Sequence, residues 1–316
     1  MKISGFSMVR NATKLYYPVK ASVQSILPLV DEFVIALGNC DEDDFTLQEI
    51  ESIGSDKIKI IHTEWDTKAY PNGTEYAHQT DIAKNACSGD WLFYLQSDEV
   101  IHEDSLPVIK ERCETLFNDT EVEGLIFDYL HFWGDYRHYI KSHAWYAKEI
   151  RIIRNNPNIH SWRDAQSFRR IPGFNNKDYD QKENTYKLNV ANAGAPVFHY
   201  GWVRPPQMMQ KKYSSFVSDY KGKENAHLFM KYKVPEFDYG NLDALNFFKG
   251  THPAVMQSMI AKFNWQENLD NAKHNENRVI HKHEKWKNRM LTFIEENILG
   301  GEKIFTFKNY NRLKNK

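Results

Sequence analysis

The chain has 316 residues, 41% hydrophobic and 26% charged, with 41 Lys plus Arg against 42 Asp plus Glu. That length and apolar content suffice for a sizeable core, and the near-balance of charge excludes the global field that draws nucleic acid. Three scattered cysteines (Cys40, Cys87, Cys113) form no CxxC pair, which argues against a disulfide framework or structural zinc and fits a reducing, cytoplasmic setting. No run of about 18 apolar residues is there to cross a membrane.

In chain order, "KISGFSM" reads as a strand, and "KASVQSILPLV" places Val19, Val23, Ile26, Leu27 and Val30 at helical spacing. "EFVIAL" is a second strand, closed by Gly38 and the acidic loop "NCDEDD". Asp44 is placed to cap a helix carrying Leu47, Ile50 and Ile53, which Gly54 stops. "KIKII" is a third strand, and a helix follows near residues 75 to 87. The continuous apolar run Trp91 to Leu95 reads as a central strand covered on both faces. Strands alternating with helices in this way predict right-handed crossovers and a mostly parallel sheet. Beyond about residue 120 the rhythm breaks. "GLIFDYLHFWGDY", "EIRIIR" and "APVFHYGW" read as strands between long polar connections, an α+β portion built on the sheet's edge. From Pro206 the pattern is mainly helical, ending in "FKNYNRLKNK", where Lys308, Arg312, Lys314 and Lys316 stand without an acid.

The apolar run ends in Gln96, Ser97, Asp98 and Glu99. In an open parallel sheet, ligands bind outside the carboxyl ends of the strands, where strand order reverses. Adjacent acids are costly to bring together unless a cation or hydrogen-bond donors compensate them. Oxygen ligands of this kind suit Mg²⁺ or Mn²⁺ bound jointly with substrate phosphates. Taken alone, "DEVIHEDSLP" reads equally well as a helix cap.

The order of the pieces is more specific than any one of them. "DIAKNACSGDWLFYLQSDEV", with the opening "SGFSMVRNATKLYYPVKASVQSIL" and with "EFVIALGNCDEDDF", resembles the family 2-like glycosyltransferases of GT-A fold over roughly residues 3 to 104. The resemblance implies an α/β, Rossmann-like domain with a mostly parallel central sheet. Its divisions would be a nucleotide-sugar-binding half over 1–122, an acceptor-side α+β half over 123–205 and a mainly helical extension over 206–316. It implies inverting transfer of a sugar from a nucleotide diphosphate donor to a hydroxyl of a glycan, lipid-linked or small-molecule acceptor, in cell-surface polysaccharide synthesis.

Carried onto this chain, the resemblance makes Asp98 the metal-ligating acid of an Asp-x-Asp motif. Glu99 would support it or orient a neighbouring donor, and His199 of "FHYGW" would ligate the ion, Mg²⁺ or Mn²⁺, or donate to a phosphate, a satisfied core histidine being its alternative. Lys84 would lie near the donor diphosphate, Arg10 and Asn11 near the nucleotide, and Asp41 and Asp43 near its base or ribose. Gln96 stands where the family has its first acid, on a ribose hydroxyl, and its lack of charge weakens the expected metal affinity. Arg151, Arg154 and Asn155 match a later segment, but the family's His-Glu is missing there. Asp164 is the nearest acid to serve as catalytic base; its alternative is a surface pair with Arg163 or Arg169. Two rival readings stand beside this one, a non-catalytic protein of the same fold and a sugar nucleotidyltransferase. The latter is opposed by the lack of glycine in "SMVRNATKLYY". His274, His281 and His283 fall in a charged segment that reads as a solvated helix, not a metal site. The basic tail is a candidate for contact with anionic lipid at the inner face of a membrane, the plainer reading being a solvated tail.

Overall fold

A computed structural model describes residues 1–222, 235–272, 278, 280–314 and 316; His274 lies outside them. The core begins with β1 (Ile3–Val9), flanked in parallel by β2 (Glu32–Leu37) and β4 (Trp91–Tyr94), with β3 (Ile58–His62) outside β2. Helices α1 (Val19–Ile26), α2 (Thr46–Glu51) and α3 (Thr74–Asn85) form the crossovers. Successive strand residues face opposite sides, so each strand feeds two cores. Phe33, Ile35, Trp91 and Phe93 pack on one side, and Phe6, Val34, Ala36, Leu92 and Tyr94 on the other. Gly5 is needed for this closeness: a Cβ there would come within 2.6 Å of the Phe33 ring.

The order β3-β2-β1-β4 places a topological switch between β1 and β4. The chain winds outward from β1 to β3, then returns to the other side of β1. Beyond β4 the sheet is mixed. β8 (Lys148–Arg154) runs antiparallel to β4, and β6 (Gly124–Trp133) runs antiparallel to β8. The 17-residue β11 (Tyr186–Trp202) then lies parallel to β6, with its register broken between Asn192 and Pro196 and again between His199 and Trp202. Four short strands carry no sequence signal of their own: β5 (Glu99–Ile101), β7 (His138–Ile140), β9 (Ile159–Trp162) and β10 (Ser167–Arg170). At three or four residues each they are too short for a period to register, and pairing with longer neighbours holds them.

The C-terminal third is less separate than the sequence suggests. After α5 (Pro206–Lys221), Phe237, Tyr239, Leu242, Met256 and Trp265 share a core with Trp133, Tyr200 and Val203. β12 (Asn246–Phe247) extends the sheet at β7, and β13 (Tyr310–Arg312) lies parallel to β11. The basic tail is therefore an edge strand, not a free segment. Lys308 and Arg312 share Glu302, and Lys316 pairs with Asp119 and Glu121, so these cations already have partners within the chain. Likewise His281 and His283 occupy a buried turn beside Trp133 instead of a solvated helix, with His281 Nε2 on the Asp238 carbonyl at 2.7 Å. Among the described residues, no helix is long and apolar enough to cross a membrane.

One arginine holds the seam between the parallel and mixed parts. Arg154 donates from Nη1 to the Phe117 carbonyl (2.7 Å) and from Nη2 to those of Leu116 (2.7 Å) and Asp119 (2.9 Å). Its guanidinium lies 4.0 Å from the centre of the Trp91 ring. It thereby ties down the chain just past α4 (Leu106–Thr115), where the Leu116 and Asp119 carbonyls also accept from the Asp119 and Val122 backbone N–H groups. Arg154→Ala is expected to cost about 2–4 kcal/mol in urea unfolding, with Arg154→Lys recovering little because one ammonium cannot fork across several carbonyls.

Candidate active site

Asp98 and Glu99 are adjacent in sequence but do different work. Asp98 lies in the turn after β4 and Glu99 opens β5, so the two side chains diverge. Glu99 is fully buried and takes a two-pronged bond from Arg151, Nε to Oε2 and Nη2 to Oε1, each at 2.7 Å. Tyr129 Oη (2.6 Å) and the Gln96 backbone N–H (3.1 Å) donate to the same carboxylate. Glu99 therefore has no lone pair to spare for a metal, contrary to expectation.

Asp98 faces a cavity of about 310 Å³ that opens at the switch point, walled by Arg10 and Asn11 after β1 and by Gln96 and Ser97 after β4. Lys212 Nζ sits 3.2 Å from Asp98 Oδ2 and donates to the Gly201 carbonyl at 2.7 Å. Arg204, with no exposed surface, donates to that carbonyl at 3.1 Å and to the Leu15 carbonyl. Burial alone would raise the Asp98 pKa, but Lys212, His199 and Arg204 outweigh it and hold the carboxyl down at about 2. Burial, and next Arg204, bring Lys212 down to about 7 against the pull of Asp98.

His199 joins this corner through a defined tautomer. His131 Nε2 lies 2.8 Å from the Tyr146 carbonyl, an acceptor only, so that nitrogen carries the proton. Burial pushes both imidazoles below their usual pKa, so both are neutral near pH 7. His131 Nδ1 then accepts from His199 Nδ1–H at 2.9 Å, leaving His199 Nε2 bare and 3.7 Å from Asp98 Oδ2. Two lone-pair atoms thus face one small space. Of the three expected metal ligands only Asp98 and His199 meet, and an ammonium already holds the carboxylate. Among the described residues, no group of three His, Cys, Asp or Glu could hold a metal ion.

Asp164 lines the same cavity. It stands between Arg163 (φ 57°) and Ala165 (φ 58°), two non-glycine residues in the left-handed region, a conformation that costs about 1–3 kcal/mol each. The surroundings force this turn. Arg151 Nη1 donates to the Gln166 carbonyl at 2.9 Å, Gln96 Nε2 to the Ala165 carbonyl at 3.3 Å, and Tyr220 Oη to Asp164 Oδ2 at 2.7 Å. The surface pairings considered for Asp164 are not made: Arg163 pairs with Asp180, and Arg169 lies over Trp162. Gln96 also has a reason to be an amide, since a carboxylate could not donate to Ala165.

The other expected residues divide. Arg10 and Asn11 reach the cavity, Arg10 packing over Trp65 at 5.2 Å. Asp41 and Asp43 do not line it; both are salt-bridged to Lys14. Lys84 is buried in α3 and bonded to Asn85 Oδ1 (3.0 Å), away from the cavity. Sequence reasoning missed α5. Lys212, Ser215, Phe216, Asp219 and Tyr220 line the cavity at spacings of three and four, one face of a helix. Trp65 was missed as well: it and Trp145 line the cavity, and each has a buried indole N–H with no partner among the described residues.

No protein-family model matches the chain, and no curated protein matches it. Among solved structures it is similar to S. aureus TarS at 12% identity and TM-score 0.38, covering 69% of this chain and 39% of that one. It is similar to TarS 1-349 in complex with UDP at 15% identity and TM-score 0.37, covering 69% of this chain and 65% of that one. A third likeness is to glucosyl-3-phosphoglycerate synthase from Mycobacterium tuberculosis in complex with Mn²⁺, UDP and phosphoglyceric acid. There the identity is 18% and the TM-score 0.28, over 41% of this chain and 43% of that one. The chain thus spans about two fifths of the full TarS chain.

Beside Asp164 lies one more carboxyl. Glu149 Oε1 accepts from Gln166 Nε2 at 2.8 Å while its buried Oε2 has no partner among the described residues. Burial pushes its pKa up to about 7, against the pull of Arg151. A carboxyl whose folded pKa exceeds its unfolded value stabilises the fold in acid and loses that contribution as pH rises through the folded pKa. From pH 5 to 8, Glu149→Gln should therefore gain on the wild type by up to roughly 3 kcal/mol, read from urea midpoints at the two pH values.

Proposed function

We propose that this protein is a GT-A-type glycosyltransferase that moves a sugar from a nucleoside diphosphate donor to a hydroxyl acceptor with inversion. One observation carries the reading. A cavity at the switch point of the sheet holds a cation-compensated carboxylate, Asp98, on one wall and, on another, a hydrogen-bonded carboxylate, Asp164, carried by a strained turn. Such a crevice is where open α/β sheets take nucleotides. Arg10, Asn11 and the unpartnered indole N–H of Trp65 supply donors for the nucleotide, and the Lys212–Arg204 corner supplies positive charge for its diphosphate.

A second cavity abuts the first and shares Tyr146, Asp164, Gln166 and Tyr220 with it. Its aromatic faces, Trp162 and Phe307, lie among Asn72, Asp180 and Asn309, a mixture suited to a polyhydroxylated ring. We assign the acceptor to it, which makes the acceptor a glycan or a glycosylated small molecule. Asp164 lies in both linings, where a base must stand to take the acceptor's proton as its oxygen attacks the donor's anomeric carbon. Tyr220 fixes one carboxylate oxygen, and among the described residues the other has no hydrogen-bond partner.

Asp164→Asn is expected to lower the transfer rate by about 10²–10⁴-fold while leaving nucleoside diphosphate affinity within about twofold. The measurement is a transfer assay over UDP-, GDP- and dTDP-sugars beside calorimetric titration, with the product's anomeric configuration read by NMR. A retained configuration would remove Asp164 from this role.

A further inference from the structure

We propose that the ammonium of Lys212, in place of a divalent ion, is the resident cation at Asp98 and the group that receives the donor's diphosphate. The proposal rests on the glycosyltransferase reading and deepens it. Asp98 Oδ2 and His199 Nε2 stand 3.7 Å apart and share one small buried space, where an ionised carboxylate calls for a cation or hydrogen-bond donors beside it. Lys212 in its protonated form is that cation, 3.2 Å from the carboxylate.

This lysine is built in, not adventitious. Its side chain is 15% exposed, its ammonium lies 4.9 Å from the Tyr17 ring and 5.7 Å from that of Trp202, and the Gly201 carbonyl takes a further hydrogen bond at 2.7 Å. Residue 201 must be glycine for this closure. A Cβ there would stand 2.7 Å from Asp98 Oδ2 and 2.6 Å from His199 Nε2. Arg204, wholly buried behind the same carbonyl, adds a second fixed positive charge.

The same features leave a divalent ion poorly served. Glu99 is consumed by Arg151, Gln96 is neutral and holds the Ala165 carbonyl, and any ion at Asp98 would stand beside two cations. Within the transfer step, the acceptor oxygen bonds to the anomeric carbon and its proton passes to Asp164. The bond from that carbon to the diphosphate oxygen breaks, and its electron pair stays on the diphosphate. Lys212 hydrogen-bonds to that leaving oxygen, doing what a Lewis acid would otherwise do.

The test is calorimetric titration with UDP, GDP, dTDP and ADP, in EDTA and in Mn²⁺, for the wild type, Lys212→Gln and Lys212→Arg. At least one diphosphate should bind the wild type in EDTA, with Mn²⁺ changing Kd by less than about threefold. Lys212→Gln should weaken that binding by about tenfold or more, as loss of a charge-assisted bond does, and Lys212→Arg should restore most of it. Binding by the wild type that needs Mn²⁺ overturns the proposal and leaves the glycosyltransferase reading standing; this arm does not depend on any variant folding. Unchanged affinity in a folded Lys212→Gln also overturns it. Failure of every diphosphate, with and without metal, overturns the donor reading and the proposal together.

Discussion

The buried pair of Glu99 and Arg151 is the constraint on which the rest of this site hangs. Neither side chain has exposed surface, and a charge so placed is tolerated only when its hydrogen bonds are met. Meeting them recruits distant parts of the chain. Glu99 gathers the Gln96 amide and Tyr129, while Arg151 reaches to the Gln166 carbonyl and packs against the rings of Tyr94 and Tyr129. The end of β4, the middle of β6, the start of β5 and the loop after β9 are thereby fixed to one another. That loop carries Asp164, and the turn before Glu99 carries Asp98. The two carboxylates of the cavity are positioned by a third that never meets it.

Helix α5 completes the enclosure from the other side. It contributes Lys212 to Asp98, Tyr220 to Asp164, and Asp219 to the hydroxyl of Tyr76 at 2.8 Å. A single rigid element thus touches both carboxylates and the α3 side of the crevice. Movement of α5 would change the compensation of Asp98 and the hydrogen bond of Asp164 together, so the two carboxylates of the cavity are coupled through one helix.

The parallel half of the fold was legible because its strands are long, apolar and bounded by turns, and β1 to β4 fall where the periodicity puts them. So was the place of Asp98 at the mouth of the sheet, since an acid ending a fully buried strand needs a reason. What escaped lies in tertiary structure. Nothing local distinguishes Glu99 from Asp98 as a ligand; the difference is the turn that leads into β5 plus an arginine 52 residues away. Lys84 looked like a phosphate ligand and is buried in α3, because helix phase and not sequence order decides which side chains face the crevice. Lys212 was hidden among the other lysines of α5, although its spacing from Ser215, Phe216 and Asp219 marks one face. The tail looked solvated because its acids, Asp119, Glu121 and Glu302, are supplied from elsewhere in the chain.

The neutral amide of Gln96 and the presence of Lys212 are two sides of one electrostatic arrangement. Two unit charges 4 Å apart interact by about 4 kcal/mol at an effective dielectric of 20, and a divalent ion feels roughly twice that from each neighbour. A corner with one carboxylate and two built-in cations therefore suits an incoming diphosphate better than an incoming metal. A second carboxylate at position 96 would reverse that balance and would also lose the bond that pins the Ala165 carbonyl. An amide there serves both ends: it keeps the corner positive enough for phosphate, and it holds in place the strained turn that presents Asp164.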